Sequence, residues 1–157
     1  SDPCFIIKIF DISYLNLVNQ FNIKKMNKSK KILSEISAGE LLDKISILEI
    51  KLKKVSNKSD LEEIKKEHGT LKKTQVSCIK LDDKVNKLFE SLKDINTKLW
   101  NIEDKLRIFE KNKDFGKLFV DLAREVYFNN DKRANIKLQI NKLLRSNLKE
   151  IKQYVEY

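Results

Sequence analysis

The chain has 157 residues, which is enough for one domain with a hydrophobic core of its own. It carries 33 Lys and Arg residues against 23 Asp and Glu, giving a formal net charge of +10, and 36% of its residues are charged. Only three glycines and one proline are present. A many-stranded sandwich or barrel would therefore lack turn residues, and the composition predicts an all-α protein.

Several classes of site are excluded by residue type and spacing. The two cysteines, Cys4 and Cys78, lie far apart and the only histidine is His68, so no group has zinc-ligand spacing. The chain contains neither a Gly-rich dinucleotide motif nor a P-loop. We expect no cofactor and no metal. Cys78 falls on an apolar helical stripe, which predicts a small buried side chain in a reducing, cytoplasmic compartment.

Residues 1–36 differ from the rest of the chain and are predicted to be an N-terminal extension. Residues 5–22 are apolar and rich in β-forming types, but Lys8 and Asp11 interrupt them and the stretch is too short for a membrane span. No methionine precedes Met26, and the Ile-, Lys- and Asn-rich composition is typical of an AT-rich genome. We therefore expect Met26 to be the natural start. The alternative is an added N-terminal strand or interfacial segment.

The first helix is predicted to begin at Ser37. Ser37 and Glu40 have the spacing of a capping box, in which both side chains satisfy free N–H groups at a helix start. Apolar residues at alternating spacings of four and three then form one stripe: Leu41, Ile45, Leu48, Leu52 and Val55. Asn57 and Lys58 indicate a break after this stripe.

A second helical segment is predicted over residues 59–112. Ser59 and Glu62 have the spacing of another capping box. An apolar seam runs through the second half of the segment: Leu81, Val85, Leu88, Leu92, Ile95, Leu99, Ile102, Leu106 and Phe109. The pattern leaves open whether this segment is one helix or bends near Gly69 or Gln75.

The third predicted helix follows a tight turn at residues 112–116, with Asp114 as its N-cap. The predicted architecture over residues 37–153 is a long antiparallel helical hairpin with the first helix packed along it, in a coiled-coil-like bundle; residues 154–157 form a tail. The far end of such a hairpin exposes an apolar seam. We expect a homodimer to cover it.

The four arginines indicate a candidate site, because the chain otherwise uses 29 lysines as its cations. A planar guanidinium binds carboxylate or phosphate through two parallel hydrogen bonds, which Lys does not. Helical spacing places four residues on one face of the second segment: Trp100, Glu103, Asp104 and Arg107. The same spacing places Arg124, Tyr127 and Asp131 on one face of the third helix. The candidate binding residues are Lys44, Trp100, Glu103, Asp104, Arg107, Arg124, Tyr127, Asn130, Asp131 and Arg133. An antiparallel register centred near residue 114 places Arg124 near Asp104, and Asn129 and Asn130 near Trp100.

Two interpretations of this cluster remain open. It is either a buried polar layer of Arg–carboxylate pairs that fixes helix register, or an anion-binding pocket with Trp100 and Tyr127 as an aromatic wall. In the pocket, Arg124 and Arg133, with Lys44 or Lys137, would bind a phosphate or carboxylate. Glu103 and Asp104 are adjacent on a helix and point in different directions, which argues against a paired-carboxylate enzyme.

Four stretches carry a family resemblance: GELLDKISILEIK (39–51), LWNIEDKLR (99–107), DFGKLF (114–119) and LAREVYFNNDKRANIKLQIN (122–141). They resemble an uncharacterised bacterial all-helical family, a domain of unknown function, over about residues 37–153. The resemblance implies no activity. It implies that Asp43, like all ten candidate residues above, stands at a motif position. The family's association with sugar transferases implies an accessory role in surface-polysaccharide or sugar-nucleotide metabolism.

The basic charge is weak evidence for nucleic-acid binding. A net charge of +10 would support nonspecific phosphate contacts, but the lysines are spread over all predicted helices and mixed with acids, as on a solvated helical surface. We therefore expect no specific nucleic-acid partner and no membrane span. The predicted function is a non-catalytic interaction or oligomerisation module with a small-anion pocket. The alternatives are the accessory role and nonspecific nucleic-acid binding.

Overall fold

The computed structural model describes residues 32–153, of which residues 35–153 lie in one packing unit and residues 32–34 in another. Four helices follow one another: α1 (Ala38–Lys54), α2 (Lys58–Cys78), α3 (Asp83–Asn112) and α4 (Lys117–Leu143). No strand occurs in the described range, so the all-α prediction is confirmed. The predicted start at Met26, residues 1–31 of the N-terminal extension, including Cys4, and the 154–157 tail lie outside the described residues.

Helix α1 begins where the sequence predicts. The Ser37 hydroxyl accepts a hydrogen bond from the Glu40 backbone N–H at 3.2 Å, as an N-cap does. The reciprocal half of the capping box is not used, because the Glu40 carboxylate accepts a hydrogen bond from Lys137 of α4 instead. The break after Lys54 is also confirmed.

Helix α2 starts earlier than predicted, and the second capping box is wrong. Asn57 is the N-cap and accepts from the Asp60 N–H at 3.1 Å, which leaves Ser59 inside the helix. Cys78 is exposed rather than buried. The buried positions near the end of α2 are Gln75 and then Ile79 in the connection that follows, so Cys78 lies beside the buried face.

The predicted 59–112 segment is two helices, and it breaks at residues 79–82 rather than near Gly69 or Gln75. The Asp82 carboxylate accepts from the N–H groups of Lys84 and Val85 at 3.0 and 2.9 Å, which starts α3. Helix α3 therefore has 30 residues. It spans about 45 Å.

Helices α3 and α4 form the predicted antiparallel hairpin. The rings of Phe109 and Phe119 meet near the turn with their centroids 6.5 Å apart, and Lys98 pairs with Glu125 at 2.8 Å farther from it. Asp114 is not the N-cap of α4: Gly116 takes that position, and the Asp114 carboxylate accepts from the Gly116 N–H at 3.2 Å.

Helix α1 packs against all three of the other helices, which makes it the centre of the fold. Its buried side chains contact those of α3 and α4 in one apolar core, whose members include Leu41, Leu42, Ile45, Val85, Phe89, Leu92 and Ile140. Burial of such side chains from water is the main stabilising contribution. Within the described residues, no helix is both long enough and apolar enough to cross a bilayer.

Candidate functional site

A cavity of about 440 Å³ lies between α1, α3 and α4. Its apolar wall is formed by Ile47 and Ile50 of α1 with Leu99 and Trp100 of α3. The polar part of its lining comes from α3 and α4: Asn96, Glu103, Asp104, Arg107, Asn130 and Arg133. The cavity therefore combines an aromatic wall with charges of both signs.

Six of the ten candidate residues line this cavity, namely Trp100, Glu103, Asp104, Arg107, Asn130 and Arg133. On α3 they are brought together by the three-, four- and seven-residue spacing that places side chains on one helix face. Asn130 and Arg133 share a face of α4 for the same reason. The predicted proximity of Asn130 to Trp100 agrees with their common place in the lining.

The other four candidates do not line the cavity: Lys44, Arg124, Tyr127 and Asp131. Lys44 is about half exposed and pairs with Glu67 at 3.8 Å. A hydrogen bond to Tyr127 raises the pKa of Arg124, and its guanidinium lies 6.0 Å from the centre of the Phe128 ring. The predicted Arg124–Asp104 contact is not formed. Arg124 lies about half a turn from Arg133 around α4, so the two cannot face the same neighbour.

Two residues of the lining, Asn96 and Arg133, contact a buried carboxylate, Asp43, which is 1% exposed. Arg133 binds it through two nitrogens: Nε donates to Oδ1 at 2.8 Å and Nη2 donates to Oδ2. The amide of Asn96 donates to Asp43 Oδ1 at 2.8 Å and to the Ser46 hydroxyl at 2.7 Å. The Ser46 hydroxyl in turn donates to the Asp43 carbonyl at 2.7 Å.

This network holds Arg133 in its charged form. The hydrogen bonds from Arg133 to Asp43 raise the pKa of the guanidinium, and they outweigh the opposing effect of its burial. One N–H of Nη2 and both N–H groups of Nη1 remain available on Arg133, and the contact of Nη1 with Asn130 Oδ1 is long, at 3.4 Å. Arg133 thus belongs to a buried polar layer and also lines the cavity, so the two interpretations of the cluster are not exclusive.

Lys137, considered above as an anion ligand, is occupied elsewhere. It is 7% exposed and donates to Glu40 at 2.7 Å and lies 2.6 Å from Glu150. Burial alone would lower the pKa of Lys137, but the hydrogen bonds to Glu150 and Glu40 together raise it above its usual value. The same bond to Lys137 lowers the pKa of Glu150. Lys137 therefore joins α4 to the start of α1 and to the C-terminal segment.

Asp43, Ser46 and Asn96 are not among the site residues predicted from the sequence. A signal was present, since Asp43, Ser46 and Ile50 recur at three- and four-residue spacing on α1. The apolar stripe of α1 indicated that a different face of the same helix is buried. Only the family resemblance placed Asp43 at a motif position.

Comparison with known protein families matches residues 32–156 to DUF6165, described as a family of unknown function. The match agrees with the resemblance to an uncharacterised helical family seen in the sequence. No curated protein and no solved structure matches the chain.

Proposed function

Since the chain belongs to DUF6165, a family of unknown function, its activity has to be inferred from its own site, and we propose that it is a non-catalytic helical module that binds a small ligand bearing a carboxylate or a phosphate. The observation that carries the proposal is the cavity between α1, α3 and α4. Its volume of about 440 Å³ lies within the range of small-molecule sites, about 300–1,000 Å³.

The guanidinium groups supply the anion contacts. In the part of the chain that the structure describes, Arg107 is held only by Glu103 at 3.7 Å, a distance too long for a hydrogen bond. Arg133 is fixed by Asp43 and keeps Nη1 towards the side of Asn130. A carboxylate or phosphate in the cavity would therefore receive charge-assisted hydrogen bonds from Arg107 and from Nη1 of Arg133. Trp100 would cover the apolar part of the ligand.

The residues of the lining are better arranged to bind a ligand than to catalyse a reaction. Glu103 and Asp104 are neighbours in α3, and successive side chains of a helix point about 100° apart. They are therefore poorly arranged to act on one substrate as acid and base. No chemical step is included in the proposal.

Trp100 gives a direct test, because it is the only tryptophan of the chain and it lines the cavity. We expect its fluorescence to change saturably with at least one class in a panel of carboxylates, inorganic phosphate, amino acids and the sugar nucleotide UDP-glucose. Arg107→Gln should weaken that binding roughly tenfold or more, because a hydrogen bond to a charged group contributes about 1.5–3 kcal/mol. Arg107 is exposed, so the variant should fold normally.

Arg124→Gln is the matched control, since Arg124 is also an exposed arginine of the hairpin but lies outside the cavity. Its affinity should equal that of the wild type. An unresponsive Trp100 across the whole panel, or equal affinities for the two variants, would contradict the proposal. A response to UDP-glucose alone would favour the accessory role in sugar-nucleotide metabolism. If duplex DNA is added as a further probe, a salt-sensitive response to it with none to the panel would favour the nucleic-acid alternative.

A second candidate function is self-association through the tip of the hairpin. Helix α1 ends beside Asn101, whose side chain accepts a hydrogen bond from Lys54 at 2.9 Å, so α3 continues past the last turn of α1. Four large apolar residues near the turn are about half exposed or more: Ile108, Phe115, Leu118 and Val120. A concentration of exposed apolar side chains is typical of an interaction surface. A second copy of the chain would cover the same patch on both partners.

Light scattering coupled to size exclusion tests this association. The wild type should elute with about twice the mass of one 18.5 kDa chain, and Leu118→Glu should elute as a monomer. Leu148→Glu is the control, because Leu148 is also exposed but lies in the C-terminal segment away from the turn. A monomeric wild type, or a dimer that survives Leu118→Glu, would refute this role for the tip.

A further inference from the structure

The charges around the cavity oppose one another. Arg107 and Arg133 face a lining that also contains Glu103 and Asp104, and Asp43 lies behind Arg133. A ligand carrying only negative charge would meet two carboxylates as well as two guanidinium groups, and like charges in a partly desolvated site repel. A ligand with only negative charge is therefore complementary to the two guanidinium groups but not to the two carboxylates.

The side-chain oxygen of Asn96 is a neutral hydrogen-bond acceptor that remains available to a ligand. The residue lines the cavity and is 5% exposed. The Asp43 carboxylate can only accept hydrogen bonds, so the amide nitrogen of Asn96 must face it. Because Nδ2 is engaged by Asp43 and Ser46, the oxygen Oδ1 is the polar atom that Asn96 can offer to a ligand. Within residues 32–153 no donor reaches that oxygen.

Asp104 is a charged acceptor at the exposed edge of the same cavity. Glu103 has a long contact with Arg107, whereas the Asp104 carboxylate forms no hydrogen bond or ion pair with any part of the chain that the structure describes. The polar lining thus offers carboxylates and an amide oxygen for hydrogen-bond donors on the ligand. An ammonium group supplies three such donors and the opposite charge.

We infer that the ligand of the cavity is a zwitterion, an amino acid with a large apolar side chain. Its carboxylate contacts Arg107 and Nη1 of Arg133, and its ammonium group contacts the Asp104 carboxylate. Its side chain packs against the apolar wall of Ile47, Ile50, Leu99 and Trp100. This inference rests on the proposed function and adds the positive charge that the ligand must carry.

Three probes that differ by one charge test the inference: leucine, N-acetyl-leucine, which lacks the ammonium group, and leucinamide, which lacks the carboxylate. In Trp100 fluorescence titrations, leucine should bind at least about tenfold more tightly than either derivative. Asp104→Asn should weaken the binding of leucine and reduce the difference in affinity between leucine and N-acetyl-leucine. Asp121→Asn, an exposed aspartate of α4 outside the cavity, should leave both affinities unchanged.

Each other result has a distinct meaning. Equal binding of leucine and N-acetyl-leucine would overturn the zwitterion and leave the proposed anion-binding function standing. Equal binding of leucine and leucinamide would overturn both, because the carboxylate would then contribute nothing. Failure of all three probes to change Trp100 fluorescence would overturn the inference, while phosphate or another anion of the wider panel would still decide the proposed function.

Discussion

Arg133→Met should destabilise the protein by about 3–5 kcal/mol, the cost of breaking a buried ion pair by removing one partner. The side chain of Asp43 is only 2% exposed, so without Arg133 its charge would remain buried with the Asn96 amide as its one side-chain donor. Urea denaturation would measure the effect as a lower midpoint with an unchanged slope.

The reverse variant should cost less. Asp43→Ala would leave the charge on Arg133, whose side chain is 27% exposed and lies beside the open cavity, where water can solvate it. We expect Asp43→Ala to cost about 1–3 kcal/mol, the usual cost of leaving a partly buried donor without its partner. This asymmetry between the two partners follows from their different burial and would not arise from a pair at the surface.

Two further variants identify the cause. Arg124→Met is the matched control, because the Arg124 side chain is exposed on the other side of α4; its denaturation midpoint should equal that of the wild type. The double variant Asp43→Ala with Arg133→Met removes both charges and should cost less than the sum of the two single variants, which a double-mutant cycle reports as strong coupling. If Arg133→Met denatures at the same urea concentration as Arg124→Met, the pair is not buried as described.

The helices could be predicted from the sequence because local signals determine them. The Ser37 cap, the break after Lys54 and the turn at residues 113–116 each depend on a few neighbouring residues. The cap of α2 was misplaced because Asn57 and Ser59 are both good N-cap residues. Only packing selects between them.

The cavity was predicted in part for a geometric reason. Spacing along one helix identified the face of Trp100, Glu103 and Arg107 without knowledge of its neighbours. Register across the hairpin gives the height of a residue along α4 but not its rotation about the helix axis, and this is why Arg124 was placed in a site that it does not reach. Asp43 was missed because α1 is surrounded by three helices. A single apolar stripe understates how much of such a helix is buried.

Gly39→Ala should also be strongly destabilising, although alanine is the better helix former. A Cβ atom at residue 39 would lie 2.6 Å from the backbone oxygen of Lys137 and 2.9 Å from Oδ1 of Asn141. The backbone of α4 cannot move aside as a flexible side chain can. The Gly39 N–H also donates to Asn141 Oδ1 at 2.7 Å, so displacing α1 would lengthen a buried hydrogen bond.

Overpacking of this kind costs about 1–3 kcal/mol, and the upper end is expected here because the obstructing atom is backbone. Gly69→Ala is the matched control, since no atom lies within 4 Å of the Cβ it would add. Removing a glycine from the interior of α2 should stabilise the protein by roughly 0.5–1 kcal/mol. The melting temperature and the urea midpoint should therefore both fall for Gly39→Ala and both rise for Gly69→Ala. Equal stabilisation by both alanines would show that α1 does not approach α4 as closely as the Gly39–Asn141 contact requires, and the cavity that these helices enclose would then have to be reconsidered.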